Sequence, residues 1–201
     1  MLHVQANWKR LNPGMPEPTF EEIVEAMKKA AGVLQEARIP FILGGGLAAW
    51  ARGGPKTEHD VDFLIKPEDV DEAVRALAAA GHEHEQPPEG WLHKVFVDGV
   101  LVDLIYDPAG GPVSDDTIAR AELTEVASLR IPVATLEDVM TTKLLALTEQ
   151  LPDFSSVLEI ARALREQIDW DAVRERTDSS PFAKAFFTLA EELGIVEPAR
   201  A

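Results

Sequence analysis

The sequence predicts an α/β (α+β) protein in which a small mixed β-sheet is flanked by helices. Short apolar runs bounded by glycine, proline or charged residues are typical of strands, and they lie before about residue 110. Apolar residues at helical spacing occur on both sides of that point and dominate after about residue 135. Since 46% of the 201 residues are hydrophobic, the chain can bury a sizeable core. We expect residues 1–112 to form the sheet core and residues 113–201 a helical C-terminal subdomain that closes a cleft.

Two helices are predicted in the first half of the chain. Residues 1–16 are rich in Asn, Pro and Gly and are expected to form an arm, after which Thr19 and Glu22 predict a capping box for an amphipathic helix. A second helix, over residues 67–81, has proline in its first turn and glycine past its end.

Strands are predicted from three apolar runs. The runs 39–43 and 61–65 flank a glycine-rich segment, and a third run is divided by Asp98 and Gly99, a turn pair typical of a β-hairpin. The polar segment 82–90 predicts a loop before this hairpin.

From about residue 113 the strand signal fades and helices are predicted. Thr135 and Asp138 form a second capping box, which opens one of them. Helical periodicity then continues over residues 155–168 and 180–195.

The charge balance limits the class of partner. Nineteen Lys and Arg against 35 Asp and Glu give a net charge of −16. Such a surface repels phosphate backbones and disfavours a broad nucleic-acid scaffold, whereas a small anionic substrate held by metal ions stays compatible with it.

The sequence contains no cysteine, so disulfides and thiolate metal sites are impossible. The sequence contains no run of about 18 apolar residues, the length needed to cross a bilayer. We therefore expect a cytoplasmic protein with no membrane partner.

Three aspartates interrupt apolar strand segments. Residues two apart in a strand share a face, so Asp60 and Asp62 point together while Val61 and Phe63 face the core. Close carboxylates repel unless a cation lies between them, and Mg²⁺ is the usual choice because it takes oxygen ligands. Asp103 is flanked by apolar residues, where an unpaired charge costs on the order of several kcal/mol. If the two strands are neighbours, the three carboxylates converge on one metal site.

A run of three glycines precedes the aspartates. Gly44, Gly45 and Gly46 follow a strand and open a short helical segment, which lets backbone N–H groups approach a phosphate closely. An ordinary turn is the alternative interpretation. The run is neither a P-loop, since no Gly-Lys-Ser/Thr follows, nor a dinucleotide-binding fingerprint.

Together these residues resemble a known family. A strand ending in Gly45 and Gly46, a short helix, Asp60 and Asp62 on the next strand and Asp103 on a later strand resemble the nucleotidyltransferase (polymerase-beta-like) superfamily. The resemblance implies a nucleotidyltransferase core, an NTP substrate bound at the glycine turn, and Mg²⁺ or Mn²⁺ held by the three aspartates, which are also the catalytic residues.

The second half resembles small bacterial members grouped with AbiEii-like and other nucleotidyltransferase toxins of toxin–antitoxin systems, some of which modify the 3′ end of tRNA. The resemblance rests on the segment TTKLLALTEQLPDF and implies that Lys143, also a catalytic residue, and Asp153 bind the nucleotide. Many members carry Arg-x-Thr-x-Asp before the metal pair, where this chain has Lys56, Thr57 and then Asp60, so the threonine is one place early. Lys56 and Thr57 are assigned to nucleotide binding on this basis.

Lys143 and Asp153 each have a second interpretation from the residues alone. Lys143 has apolar neighbours at helical spacing, so its side chain either reaches along the helix to the surface or points into the cleft towards a triphosphate. The resemblance favours the cleft. Asp153 equally fits the cap of the helix that follows it.

The sequence therefore predicts a metal-dependent enzyme that moves a nucleoside monophosphate from an NTP to an acceptor hydroxyl and releases pyrophosphate. The resemblance favours a tRNA 3′ end as acceptor, and a toxin that is held inactive by an antitoxin protein. A small-molecule acceptor, as in antibiotic-modifying nucleotidyltransferases, suits the negative charge better. A catalytically silent nucleotide- or partner-binding module is the third interpretation, although it gives no reason to keep three repelling carboxylates together.

Overall fold

The centre of the molecule is a seven-stranded mixed sheet with the strand order β3-β4-β5-β2-β1-β7-β6. The computed structural model describes residues 17–57, 60–88 and 90–198, so the predicted arm at 1–16 lies outside the described residues. The strands are β1 (Ile42–Leu43), β2 (Asp60–Leu64), β3 (Glu83–Glu85), β4 (Leu92–Val97), β5 (Val100–Ile105), β6 (Glu122–Val126) and β7 (Leu129–Val133).

Helices cover the sheet and form most of the chain after β7. In the described residues they are α1 (Phe20–Glu36), α2 (Gly45–Ala51), α3 (Val70–Ala79), α4 (Asp115–Arg120), α5 (Leu136–Leu145), α6 (Ser155–Leu164), α7 (Trp170–Thr177) and α8 (Pro181–Glu192), with a 3₁₀ turn at Arg165–Gln167. The predicted mixed α/β class is confirmed. None of these helices is long and apolar enough to cross a membrane.

The strand pairing is mixed. The central strand β2 is parallel to β5 and antiparallel to β1, and β1 is in turn parallel to β7. Two antiparallel hairpins, β4–β5 and β6–β7, extend the sheet on either side. Because β2 and β5 are neighbours, side chains in register on these two strands share one face of the sheet.

The helix α1 begins and packs as its sequence predicts. The Thr19 backbone N–H donates to the Glu22 carboxylate at 2.7 Å, and the Glu22 backbone N–H donates back to the Thr19 hydroxyl at 3.3 Å. This capping box satisfies two otherwise unpaired donors. The apolar stripe of the helix, which includes Ile23, Met27 and Leu34, is fully buried against the core.

The predicted hairpin turn is also confirmed. Asp98 and Gly99 connect β4 to β5 with φ angles of 51° and 82°. Positive φ at both central positions is the requirement of a type I′ turn, which Asp-Gly meets at low cost.

Three strands differ from the sequence prediction. The segment 82–90, predicted as a loop, contains the edge strand β3, whose residues are all exposed and therefore show no alternation of apolar and polar residues. The strands β6 and β7 lie beyond residue 113, where the strand signal fades. Their turn is made by Ala127 and Ser128 at positive φ, without the glycine that usually marks a hairpin. The sheet therefore continues past residue 112, the predicted boundary between the two units.

A buried carboxylate ties three helices together. Asp138 in α5 accepts hydrogen bonds from Arg120 Nε and Nη2 at 3.2 and 3.1 Å, and from Arg176 of α7 at 2.5 Å. The Thr135 hydroxyl accepts the Asp138 backbone N–H at 3.2 Å, but the reciprocal bond of the predicted capping box is absent in the described residues because the two arginines occupy the Asp138 carboxylate. Burial raises the pKa of Asp138, and the two guanidinium groups outweigh it, so the net pKa is lowered.

Asp138→Asn should destabilise the protein. The substitution removes the charge that two guanidinium groups share, which should lower the free energy of unfolding by about 2 kcal/mol and the melting temperature by about 6 °C. Thermal denaturation at neutral pH measures this loss. Glu166→Gln, which breaks the exposed pair between Arg165 and Glu166, is the matched control and should change stability by less than about 0.5 kcal/mol. Equal effects of the two substitutions would contradict this role of Asp138.

Candidate active site

The first two carboxylates of the site come from alternate positions of β2. Asp60 and Asp62 are partly exposed and project from the same face, while Val61 and Phe63 on the opposite face are fully buried. The apolar positions hold the strand in the core, and this fixes the direction in which both aspartates point. The predicted alternation is confirmed.

The third carboxylate comes from the adjacent strand β5. In the parallel pairing of β2 with β5, Asp103 lies directly beside Asp62. One oxygen from each of Asp60, Asp62 and Asp103 lies within 4.8 Å of the others, and we refer to these three residues as the acidic triad. The predicted convergence of the three side chains is confirmed. The role of each residue in metal binding stays a prediction.

The environment of Asp103 fits a metal ligand. Asp103 is 0% exposed, and neither of its carboxylate oxygens has a hydrogen-bond partner in the described structure. Buried carboxylates nearly always have partners, since an unpaired one is costly. Three carboxylates form the all-oxygen donor set that Mg²⁺ and Mn²⁺ prefer. The residues of the acidic triad therefore fit a hard divalent cation.

The raised pKa values within the acidic triad also fit a bound divalent cation. Burial raises the pKa of all three carboxyl groups. For Asp62, burial and the neighbouring charge of Asp60 raise the pKa to about 7, against the opposing charge of Lys143. For Asp103, burial and the charges of both partners raise the pKa well above its usual range. A divalent cation would relieve both the repulsion and the burial cost.

The glycine turn lies against the acidic triad. The Gly44 backbone N–H donates to the Asp62 carbonyl at 2.8 Å, and Gly45 has a φ of 54°. A Cβ atom on Gly45 would lie 1.7 Å from Asp62 Oδ2, and one on Gly46 would lie 2.8 Å from Thr57 Oγ1. The glycines therefore allow the backbone to approach the Asp62 carboxylate and the Thr57 side chain, as the sequence predicts for a close turn.

Lys143 is near enough to the acidic triad for its charge to lower the pKa of two of its members. It is part of α5, and its positive charge acts on both Asp60 and Asp62. In the residues that the structure describes, no carboxylate oxygen lies within 4.0 Å of its ammonium group. This placement agrees with the cleft interpretation, and a role in nucleotide binding stays a prediction.

Two other residues from the predicted nucleotide-binding set have described partners outside the acidic triad, and their role in nucleotide binding stays a prediction. Lys56 is exposed, pairs with Glu21 at 3.7 Å and lies 4.6 Å from the centre of the Phe20 ring. Asp153 accepts the Ser155 backbone N–H at 2.9 Å just before α6, the helix-cap alternative that its sequence allows. No described hydrogen bond or ion pair links either residue to the acidic triad.

Lys94 in β4 is a charged neighbour of the acidic triad that sequence reasoning missed. It lies directly opposite Asp103 in the antiparallel β4–β5 pairing and is only 5% exposed. Its positive charge acts on Asp60 and Asp103. The available signal was its place among the apolar residues of a predicted strand, where a lysine is as unusual as the aspartate opposite it.

Comparison with protein families agrees with this geometry. Residues 22–192 match the family described as "Uncharacterised nucleotidyltransferase". The chain belongs to this nucleotidyltransferase family. No curated protein sequence matches the chain. The subtype of toxin that the sequence resembles is not distinguished by the family match.

Solved structures share the fold of this nucleotidyltransferase at low sequence identity. The antibiotic-resistance factor ANT(2″)-Ia, in complex with adenylyl-2″-tobramycin, has a TM-score of 0.60 and is 17% identical, covering 81% of this chain and 98% of its own. The lincosamide antibiotic adenylyltransferase LnuA, bound to lincomycin, has a TM-score of 0.52 at 12% identity, covering 72% and 97%. A Thermotoga maritima protein provisionally assigned as a nucleotidyltransferase has a TM-score of 0.51 at 20% identity, covering 75% and 94%.

Gly45→Ala should disable the site of the nucleotidyltransferase. The new Cβ atom would displace the Asp62 carboxylate, and displacing a reacting group by about 1 Å costs about 100-fold in activity. Nucleotidyl-transfer activity and Mn²⁺ binding should both fall. The matched control is Gly32→Ala in α1, where a Cβ atom meets nothing within 4 Å; this change should leave the site intact and stabilise the helix by about 0.5–1 kcal/mol. Full activity in the Gly45 variant would contradict the close packing.

The stability of the metal-free protein should depend on the Asp62 carboxyl group. Its pKa rises from an ordinary value of 3.8 to about 7 on folding, so the folded protein holds this proton more tightly than the unfolded chain. Stability should therefore fall as the pH rises from about 4 to about 7, and Asp62→Asn should flatten part of that slope. Thermal denaturation in EDTA across this range makes the measurement. Parallel profiles for the two proteins would contradict the raised pKa.

Proposed function

We propose that this nucleotidyltransferase moves a nucleoside monophosphate from an NTP to a hydroxyl group of a small-molecule acceptor, in a reaction that depends on a divalent metal. The observation that carries the proposal is the acidic triad, in which the two Asp103 oxygens have no partner in the described part of the chain and a glycine turn packs against Asp62. This arrangement gives three oxygen ligands beside a backbone segment that a phosphate can approach.

Each group has a distinct task in the proposed reaction. Asp60, Asp62 and Asp103 would hold Mg²⁺ or Mn²⁺, which supplies charge stabilisation for the triphosphate and for the attacking and leaving oxygens. The backbone at Gly45 and Gly46 would bind phosphate oxygens. Lys143, which lies near Asp60 and Asp62, would bind the triphosphate as a positive point charge.

The covalent step exchanges one phosphorus–oxygen bond for another. The acceptor hydroxyl oxygen attacks the α-phosphorus in line, and the bond from that phosphorus to the bridging oxygen of the β-phosphate breaks. Pyrophosphate leaves with the bonding electron pair. The hydroxyl proton passes to Asp103, whose oxygens have no other partner in the described structure.

The acceptor class rests on charge and on the structural neighbours. A net charge of −16 disfavours association with a polyanionic RNA and favours neutral or cationic acceptors. ANT(2″)-Ia and LnuA, which share the fold, have adenylyl-2″-tobramycin and lincomycin bound, respectively. These observations support a small-molecule acceptor over the tRNA 3′ end and its antitoxin-controlled toxin, which stay predictions from the resemblance.

The proposal is tested by incubating the purified protein with each α-labelled NTP and Mg²⁺, together with either a panel of aminoglycoside and lincosamide acceptors or total RNA. Label should appear in a small-molecule product and be lost in EDTA. Asp60→Asn and Asp62→Asn should each lower the rate by about a thousandfold, because the ligands of the stabilising cation are removed.

The control is Asp171→Asn, which makes the same charge change at an exposed position of α7 and should keep the wild-type rate. Label in tRNA would overturn the small-molecule acceptor and support the toxin interpretation. No label in either pool, together with no binding of Mg²⁺ and NTP by calorimetry, would favour the silent module.

A further inference from the structure

A row of charged side chains crosses the sheet at the acidic triad. In the strand pairing, Glu85 lies opposite Lys94, Lys94 opposite Asp103, and Asp103 beside Asp62. Side chains of directly paired residues project from the same face, so this row runs from the exposed edge strand β3 to the central strand β2. Lys94 is the cation of the row.

Lys94 is buried, and no ion-pair partner of it lies among the described residues. The residue is 5% exposed, and its neighbours on the same face of β4 are Leu92 and Phe96. In the part of the chain that the structure describes, no carboxylate oxygen, including those of Glu85 and Asp103, lies within 4.0 Å of its ammonium group. Placing a lysine in such surroundings costs free energy, which a neighbouring negative charge offsets.

Two lysines act on the acidic triad. The charge of Lys143 in α5 acts on Asp60 and Asp62. The charge of Lys94 in β4 acts on Asp60 and Asp103. Both lysines therefore act on Asp60, and Lys94 is the one that the strand pairing places opposite Asp103.

We propose that Lys94 is a positioning residue, whose ammonium group balances the charge of Asp103 and holds its carboxylate on the face of the sheet that it shares with Asp60 and Asp62. The proposal deepens the proposed function, on which its kinetic consequence rests. Lys94 lies directly opposite Asp103 in the strand pairing, so we assign its effect to Asp103 rather than to the nucleotide.

A structural alternative makes a different prediction. If Lys94 only packs its aliphatic stem between Leu92 and Phe96, removing the charge should cost the same whatever residue occupies position 103. If Lys94 balances Asp103, the effects of the two substitutions should be coupled.

The experiment is a double-mutant cycle of melting temperatures in EDTA at pH 8.5, with Lys94→Met, Asp103→Asn and the double variant. Lys94→Met should lower the melting temperature by about 5 °C in the wild-type background and by less than about 2 °C with Asp103→Asn. Saturating Mn²⁺ should reduce the first loss, since the metal ion then balances the carboxylates. Lys94→Arg, which keeps the charge, should recover most of it.

The control is Lys184→Met, the same charge change at an exposed position of α8, which should shift the melting temperature by less than about 2 °C. If Lys94→Met fails to fold, a folded double variant supports the proposal and an unfolded one, with Asp103→Asn alone folded, overturns it. Equal losses in both backgrounds also overturn it.

Kinetics separate this proposal from the proposed function. In the active enzyme, Lys94→Met should lower kcat by about tenfold with KM for the NTP within twofold, because Lys143 and the glycine turn are untouched. Thermal coupling without any nucleotidyl transfer would keep the role of Lys94 and reject the proposed function. Nucleotidyl transfer without thermal coupling would support the proposed function and reject the role of Lys94.

Discussion

The site depends on the parallel pairing of β2 with β5, in the register that places Asp62 beside Asp103. A shift of one residue would turn Asp103 to the opposite face, because successive side chains alternate between faces. The register is fixed by the buried apolar residues on the other face of both strands, including Val61, Phe63 and Leu104. Ordinary core packing thus assembles three carboxylates that would not associate on their own.

This assembly has an energetic cost. Three aspartates share a small volume, and one of them is fully buried with no hydrogen-bond partner among the described residues. Burial together with mutual repulsion raises their pKa values. Groups so placed mark functional sites more often than they stabilise a fold. The charges of Lys94 and Lys143 offset part of the repulsion, and a divalent cation would offset the rest.

Much of this could be predicted from the sequence, because the relevant signals are local. The alternation of apolar and polar residues along β2 predicts that Asp60 and Asp62 share a face. The pair Asp98-Gly99 predicts the hairpin that contains β5, and the glycine run predicts a close turn. The convergence of Asp103 needed the added assumption that β5 neighbours β2, and the structure confirms it.

What the sequence did not predict depends on long-range or unmarked features. The strand β3 is fully exposed and has no apolar pattern, and the β6–β7 turn uses Ala127 and Ser128 in place of glycine. The arginines that bind Asp138 are 18 and 38 residues away from it, and the pairing of Lys94 with Asp103 requires the register of the hairpin. None of these partners is visible from local propensity.

The proposed function requires that Asp60, Asp62 and Asp103 hold one divalent cation between two β-strands. A crystal structure of the protein grown with Mn²⁺, with the ion located by its anomalous scattering, would show whether they do. We expect a strong peak bound by oxygens of all three aspartates, beside the turn at Gly45. A peak bound elsewhere, with the Asp103 carboxylate left out of its coordination sphere, would contradict it.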